Sequence, residues 1–113
     1  MKSNKLNELL LATFPNLKTA FSEETSWQEG INTGSIVVLE DAFMPYIIFC
    51  YEHKLSDELK KCFEFIEECV ISKDNYQRNV IEVAIIENIH SYDIADELEK
   101  LLLPQSLKSY MKK

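Results

Sequence analysis

The chain has 113 residues, of which 46% are hydrophobic, and it contains only two glycines and three prolines. This composition excludes a disordered chain and disfavours an all-β fold with many tight turns, so we expect residues 1–113 to form a single helical domain. The net charge of −7 opposes attraction to a phosphate backbone, so no direct binding of nucleic acid is expected.

Helical spacing of apolar residues begins near the N terminus. Ser3 or Asn4 can cap a first helix, which should end near Thr13 because the next residue precedes a proline. A second helix is predicted to follow at once and to end at about residue 27. Residues 28–35 contain both glycines of the chain, which predicts a loop.

The middle of the chain predicts two further helices. Residues 36–39 form a β-branched run that fits either an extended segment or the beginning of the next helix. Asp41 can cap that helix, which should end at about residue 53 with Pro45 near its first turn. Ser56 can cap the following helix. The apolar face of that helix contains Leu59, Cys62, Phe63, Ile66, Cys69 and Val70.

The segment 79–89 has the most apolar helical pattern in the chain, with seven apolar residues among eleven. Val80, Val83, Ala84 and Glu87 mark one side of a 3.6-residue period, and Ile81, Ile85 and Ile89 mark another. A helix that is apolar around most of its circumference packs against neighbours on several sides. We therefore predict a central helix, capped by Asp74 or Asn75, that forms an antiparallel hairpin with the helix before it.

Two shorter helices are predicted near the C terminus. The first should begin at Ser91 or Asp93 and end before Pro104, and the second should span residues 105–111. The residues of the first helix that should face inward are Ile94, Leu98, Leu101 and Leu102.

A weak internal similarity bears on the arrangement of these helices. Residues 57–61 are similar to residues 96–100, and helical hairpins that repeat at about 40 residues are typical of HEAT stacks. The expected fold is therefore all-α, with about six helices in stacked antiparallel hairpins of HEAT-like type.

Cysteine usage and hydropathy bear on the cellular compartment. The three cysteines, Cys50, Cys62 and Cys69, include no Cys-x-x-Cys pair, and we expect them to be core residues in a reducing compartment. The N-terminal apolar run is too short for a signal peptide, and the longest run, residues 42–51, is too short to span a membrane. A cytoplasmic protein without membrane contact is predicted.

Residue patterns typical of catalysis are few. Glu87 and His90 have the i, i+3 spacing of di-iron helical bundles, but such sites need two of these motifs and two further glutamates. Neither His53 nor His90 has a nucleophile and an acid that spacing identifies, and two glycines do not make a phosphate-binding loop. We expect no catalytic residues, no metal ion and no cofactor.

Surface charge gives the strongest indication of a partner. Residues 23–99 contain 18 acidic and 5 basic residues, whereas both ends of the chain are positively charged. Exposed carboxylates near a tyrosine predict a docking face for a basic protein surface. The alternative is a solvated face in which Lys60 pairs with Glu64 and Arg78 pairs with Glu82. The candidate partner-binding residues are Glu64, Glu67, Glu68, Tyr76, Glu82, Asp93 and Asp96.

Several short motifs resemble those of a known group of proteins. They are Leu10-x-x-Thr-Phe-Pro-x-Leu17, Pro45-Tyr46, Phe63-x-Phe-Ile-Glu67, and Asn79-Val-Ile-x-Val83 followed by Glu87. Over about residues 6–103 the chain resembles small all-helical bacterial immunity proteins of polymorphic and contact-dependent growth inhibition toxin systems. This resemblance implies binding to the C-terminal domain of a toxin, often a basic nuclease. It assigns no interface residue, because interfaces diverge among such proteins.

Three hypotheses for function follow from these observations. The first is an immunity protein that binds and neutralises a cognate toxin domain, expected to be a basic RNase. The second is a HEAT-like adaptor that holds two proteins together and has no catalytic activity. The third is a metal-binding helical enzyme.

Overall fold

A computed structural model describes residues 2–19 and 33–112 of the chain. This part of the chain contains helices and turns and no β-strand, so the all-α prediction is confirmed. Helix α1 spans Ser3–Thr13 and is followed by a 3-10 turn at Pro15–Leu17. Most of the predicted second helix and of the loop at 28–35 lies outside the described residues.

Helix α2 spans residues 35–52, so the run 36–39 belongs to the beginning of this helix, which was one of the two expectations. Asp41, the predicted cap, lies inside the helix. It consists of an α-helical turn at Ser35–Val38, a π-helical segment at Leu39–Phe43, and an α-helical segment at Met44–Glu52. Within the π-helical segment, the Met44 N–H donates to the carbonyl of Leu39, five residues back. The next residue is Pro45, which has no N–H and whose ring would crowd the preceding turn of a regular α-helix. The wider turn accommodates the proline inside a continuous helix.

Helix α3, Ser56–Val70, follows α2 after a tight turn. Lys54 adopts a left-handed conformation with φ of 55°, and its N–H donates to the carbonyl of Tyr51 at 3.2 Å. The Leu55 N–H donates to the carbonyl of Cys50 at 2.9 Å. These two bonds form a Schellman motif, which ends α2 and reverses the chain direction.

Helix α4 spans residues 75–89 and is the predicted central helix. Its segments are α-helical at Asn75–Ile81, π-helical at Glu82–Ile86 and α-helical at Glu87–Ile89. It contacts α2 and α3, as well as α6, which is described below. Its buried residues include Val80, Ile81, Ala84, Ile85, Ile86 and Ile89. Val83, which the spacing groups with Val80 and Ala84, is 47% exposed, whereas those two residues are buried.

Two short helices complete the described chain: α5 at Ala95–Glu99 and α6 at Pro104–Met111. Helix α5 begins after the predicted Ser91 or Asp93, because residues 90–94 form turns. Helix α6 packs on α3 and α4. The similar segments 57–61 and 96–100 fall on a helix of 15 residues and a helix of five, so they do not mark hairpins of equal length.

One hydrophobic core runs through these elements, from Leu6 in α1 to Tyr110 in α6. At its centre the rings of Phe14, Phe43 and Phe65 contact each other, with centroids 5.2 to 5.6 Å apart. No helix of the described part of the chain has the length and apolar character needed to cross a bilayer.

The predicted cap residue is confirmed at one helix and is wrong at two others besides α2. Asp74 caps α4 as predicted, because its side chain accepts a hydrogen bond from the Gln77 N–H at 2.8 Å. The residues at the cap positions of α1 and α3 are Lys2 and Leu55, and neither makes a side-chain cap bond. The predicted caps Ser3 and Ser56 are therefore the first residues inside these helices.

Candidate partner-binding surface

The three glutamates of α3 differ in what their side chains contact. Glu64 and Glu68 are exposed. Glu67 lies against the beginning of α6, where its carboxylate accepts the Ser106 N–H and the Ser106 hydroxyl, each at 2.9 Å, and the Gln105 N–H at 3.2 Å. Leu103 stands at the cap position of α6 and has no side-chain acceptor. Glu67 thus caps α6 from another helix and holds it against α3.

Helix α6 also lies beside part of the acidic face on α4. Glu82 lines a cleft of about 250 Å³ together with Lys108 of α6 and Lys112, which follows this helix. The guanidinium of Arg78, the alternative partner of Glu82, donates to the Ser72 carbonyl and to the Asn75 side chain. Glu67 therefore contacts α6, and Glu82 shares a cleft with two lysines of the same chain, although both were predicted to face a basic partner.

Tyr76 is half-buried and forms part of the link between α1, α2 and α4. Its hydroxyl hydrogen-bonds with the Ser3 hydroxyl. The Ser35 hydroxyl donates to the Asn7 side chain at 3.1 Å, and the Asn7 amide donates to the Thr33 carbonyl at 2.8 Å. Ser3 joins the two sets of bonds, because its carbonyl accepts the Ser35 hydroxyl at 3.3 Å. Tyr76 is thus a structural residue at the meeting point of three elements.

Asp93 and Asp96 are exposed, and Asp96 lies close enough to Tyr110, near the end of α6, for its charge to act on the phenol. The end of α6 is fixed there by Tyr110, whose ring stacks on His90 with centroids 3.9 Å apart. Burial, together with the negative charges of Glu99 and Asp96, raises the pKa of the Tyr110 phenol. The seven candidate residues thus divide into four exposed carboxylates and three residues engaged within the fold.

A groove that the sequence did not predict lies between α3 and the connection from α5 to α6. It has a volume of about 230 Å³, and we call it the Leu59 groove. Its apolar lining consists of Leu59, Phe63, Leu101 and Leu103, with Lys60 and Glu64 at its edge. Leu101 was predicted to face inward, but 38% of its surface is exposed, so this prediction is wrong. The run of three leucines before Pro104 was the available signal, because one short helix cannot bury three consecutive residues.

A comparison with known proteins identifies the family of this chain. The model of a domain of unknown function, DUF7674, matches residues 7–113. The chain belongs to the DUF7674 family. Searches of curated proteins and of solved structures found no match.

A second cavity of this DUF7674 domain, about 440 Å³ in volume, lies beside a polar cluster. It is lined in part by Tyr46 and Glu58, and the Tyr46 hydroxyl donates to the Glu58 carboxylate. Burial raises the pKa of Tyr46 and of the nearby thiols Cys50 and Cys62. These groups stay protonated at neutral pH, which makes the thiols poor nucleophiles.

The third cysteine and the histidine of the Glu-x-x-His motif are also held within the fold. Cys69 is buried, and this burial raises the pKa of its thiol to about 11. Over residues 2–19 and 33–112, no group of three or more His, Cys, Asp or Glu side chains is placed to hold a metal ion. His90, from the Glu-x-x-His motif, contacts Tyr110 through its ring and through Nε2, which lies 3.2 Å from the Tyr110 carbonyl oxygen.

Proposed function

We propose that this DUF7674 protein is an immunity protein that binds and neutralises a basic, RNase-type toxin domain. The observation that carries the proposal is the pair of exposed carboxylates, Glu64 and Glu68, on a helix that Glu67 helps to anchor. Glu64 and Glu68 are four residues apart and therefore project from the same face of α3. The resemblance to immunity proteins and the net charge of −7 support the same function.

The proposed mechanism is electrostatic occupation of a cationic surface. An RNase must present positive charge to the phosphate backbone of its substrate. An acidic helix face attracts such a surface, speeds the encounter with it, and excludes RNA once it is bound. The exposed Asp93 and Asp96 add further negative charge to the surface.

Capture of the partner tests this proposal directly. The purified protein serves as bait in a lysate of its source cells, with parallel washes at low and high salt, and mass spectrometry identifies what remains bound. We expect the C-terminal domain of a large secreted protein, and more of it after the low-salt wash because charge drives the association. The captured domain is then produced alone and assayed for RNase activity during titration with this protein.

Complete inhibition at a 1:1 ratio is the expected result. A captured domain without nuclease activity, or one whose activity is unchanged by a saturating amount of this protein, contradicts the proposal. Two partners that bind at the same time in one ternary complex would instead indicate an adaptor.

A further inference from the structure

We propose that the Leu59 groove receives one apolar side chain, of the size of leucine or phenylalanine, from a partner segment in which a basic residue lies next to it. This inference rests on the proposed function and adds to it the chemical class of the contact. The groove volume of about 230 Å³ is below the roughly 300–1,000 Å³ of small-molecule sites, so it fits a side chain better than a cofactor.

The groove has the features of the centre of a protein interface. Phe63 forms its floor and belongs to the hydrophobic core, whereas Leu101 is exposed at its wall. A floor that is already fixed by the core does not have to be ordered when a side chain enters, which lowers the cost of binding. An apolar centre with charged residues at its edge is the usual arrangement of such contacts.

Charge determines which occupant the groove favours. Glu64 stands at the edge and offers a carboxylate to a cationic neighbour of the inserted side chain. Lys60 lies one helical turn earlier and can donate a hydrogen bond to a backbone carbonyl, which every peptide segment offers. A second copy of this chain also carries a net charge of −7, so long-range repulsion disfavours it relative to a basic partner.

Methyl NMR spectroscopy on the isotope-labelled protein tests the groove with defined probes. The first probe is a capped five-residue peptide with one phenylalanine between two arginines. One control peptide has alanine in place of phenylalanine, and another has glutamates in place of the arginines. We expect the first peptide to shift the methyl signals of Leu59, Leu101 and Leu103 with millimolar, saturable binding. Each control should bind these sites at least about tenfold more weakly.

Two variants test whether the peptide binds in the Leu59 groove. Leu101→Asp places a carboxylate at the groove wall and should abolish the shifts of Leu59 and Leu103. Leu9→Asp is the matched control, because Leu9 on α1 is 41% exposed and Leu101 is 38% exposed. Leu9→Asp should leave binding of the peptide unchanged. Both sites are exposed enough for the fold to tolerate the substitution, and the dispersion of the remaining methyl signals checks this.

The outcomes separate this inference from the proposed function. Equal shifts with the phenylalanine and alanine peptides would show attraction by charge alone, which overturns the side-chain site and leaves the proposed function intact. An absence of shifts in these three leucines overturns it as well. Concentration-dependent shifts of the same methyl groups in the protein alone would assign the groove to a second copy. Failure of the RNase assay would overturn the toxin partner and leave the peptide result standing.

Discussion

Lys54 occupies a backbone position that favours glycine. Its φ of 55° lies in the left-handed region, which costs a residue with a Cβ atom roughly 1–2 kcal/mol. Lys54→Gly should therefore raise the free energy of unfolding by about 0.5–1 kcal/mol, less than the full strain because glycine also gains freedom in the unfolded chain. The measurement is the urea midpoint. Lys54→Ala removes the same side chain but keeps the Cβ atom, so an equal gain from alanine would contradict the explanation.

Glu67 and Glu68 are adjacent residues of the same type with different environments. Glu67→Gln should destabilise the protein by about 1–3 kcal/mol, because the charged acceptor of three hydrogen bonds at the beginning of α6 is lost. Glu68→Gln, at an exposed position, should change stability by no more than about 0.5 kcal/mol. Hydrogen exchange should show faster exchange in α6 only for the Glu67 variant. Similar behaviour of the two variants would mean that Glu67 does not hold this helix.

The buried thiol of Cys69 makes stability depend on alkaline pH. Burial raises its pKa from the ordinary value of 9.0 to about 11, so the native state keeps the proton where the unfolded state loses it. A group with a raised folded pKa gives its full stabilisation below the unfolded pKa and loses it as the pH rises toward the folded one. Between about pH 9 and 11 the free energy of unfolding should fall by up to about 1.4 kcal/mol per pH unit from this thiol.

Denaturant midpoints measured across that pH range check the dependence on Cys69. Cys69→Ala has no thiol to ionise at this position and should show a shallower fall, even though its stability at neutral pH is lower because a cavity is left. Cys50 and Cys62, whose pKa values are also raised by burial, contribute to the slope that remains. Parallel curves for the variant and the parent protein would exclude a contribution from Cys69.

Helix α4 presents buried and exposed aliphatic residues within one turn. Ile85 is fully buried, and Ile85→Ala should cost about 2–5 kcal/mol because it leaves a cavity in the core. Val83 is 47% exposed, and Val83→Ala should change stability by no more than about 0.5 kcal/mol. Urea unfolding of the two variants measures the contrast. A large loss in the Val83 variant would mean that this side of α4 is covered.

At the scale of the elements, local signals predicted where helices lie better than which of their residues are buried. Asp74 followed by an apolar run predicted the beginning of α4, because a cap depends only on neighbouring residues. Spacing placed Val83 on the same side as Val80 and Ala84, yet Val83 is exposed and the other two are buried. A spacing of 3.6 residues presumes a regular helix, whereas α4 widens at Glu82–Ile86. The π-helical segment before Pro45 has a visible cause in the proline, but no comparable residue marks the segment in α4.

At the scale of the whole molecule, contacts between residues distant in sequence engage part of the predicted docking face within the fold. Sequence pattern identified acidic residues on α3 and α4 but did not show that α6 contacts Glu67 and shares a cleft with Glu82. One clue was present, since α6 begins with Pro104 and the residue at its cap position has no side-chain acceptor. Choosing Glu67 over Glu68 as the acceptor required the tertiary structure, which also forms the Leu59 groove from segments about 40 residues apart.

Association with a basic partner should depend on the position of charge as well as on its total. Glu64→Lys combined with Glu68→Lys should slow association by on the order of tenfold at low salt, because it reverses the proposed docking face. Glu8→Lys combined with Glu52→Lys makes the same change in net charge at exposed sites on α1 and α2, so it controls for long-range attraction. Stopped-flow association with the captured toxin domain gives the rates. High salt should reduce the effect of both double variants by screening. Equal slowing by the two variants would show that only net charge matters, and that Glu64 and Glu68 do not form the docking face.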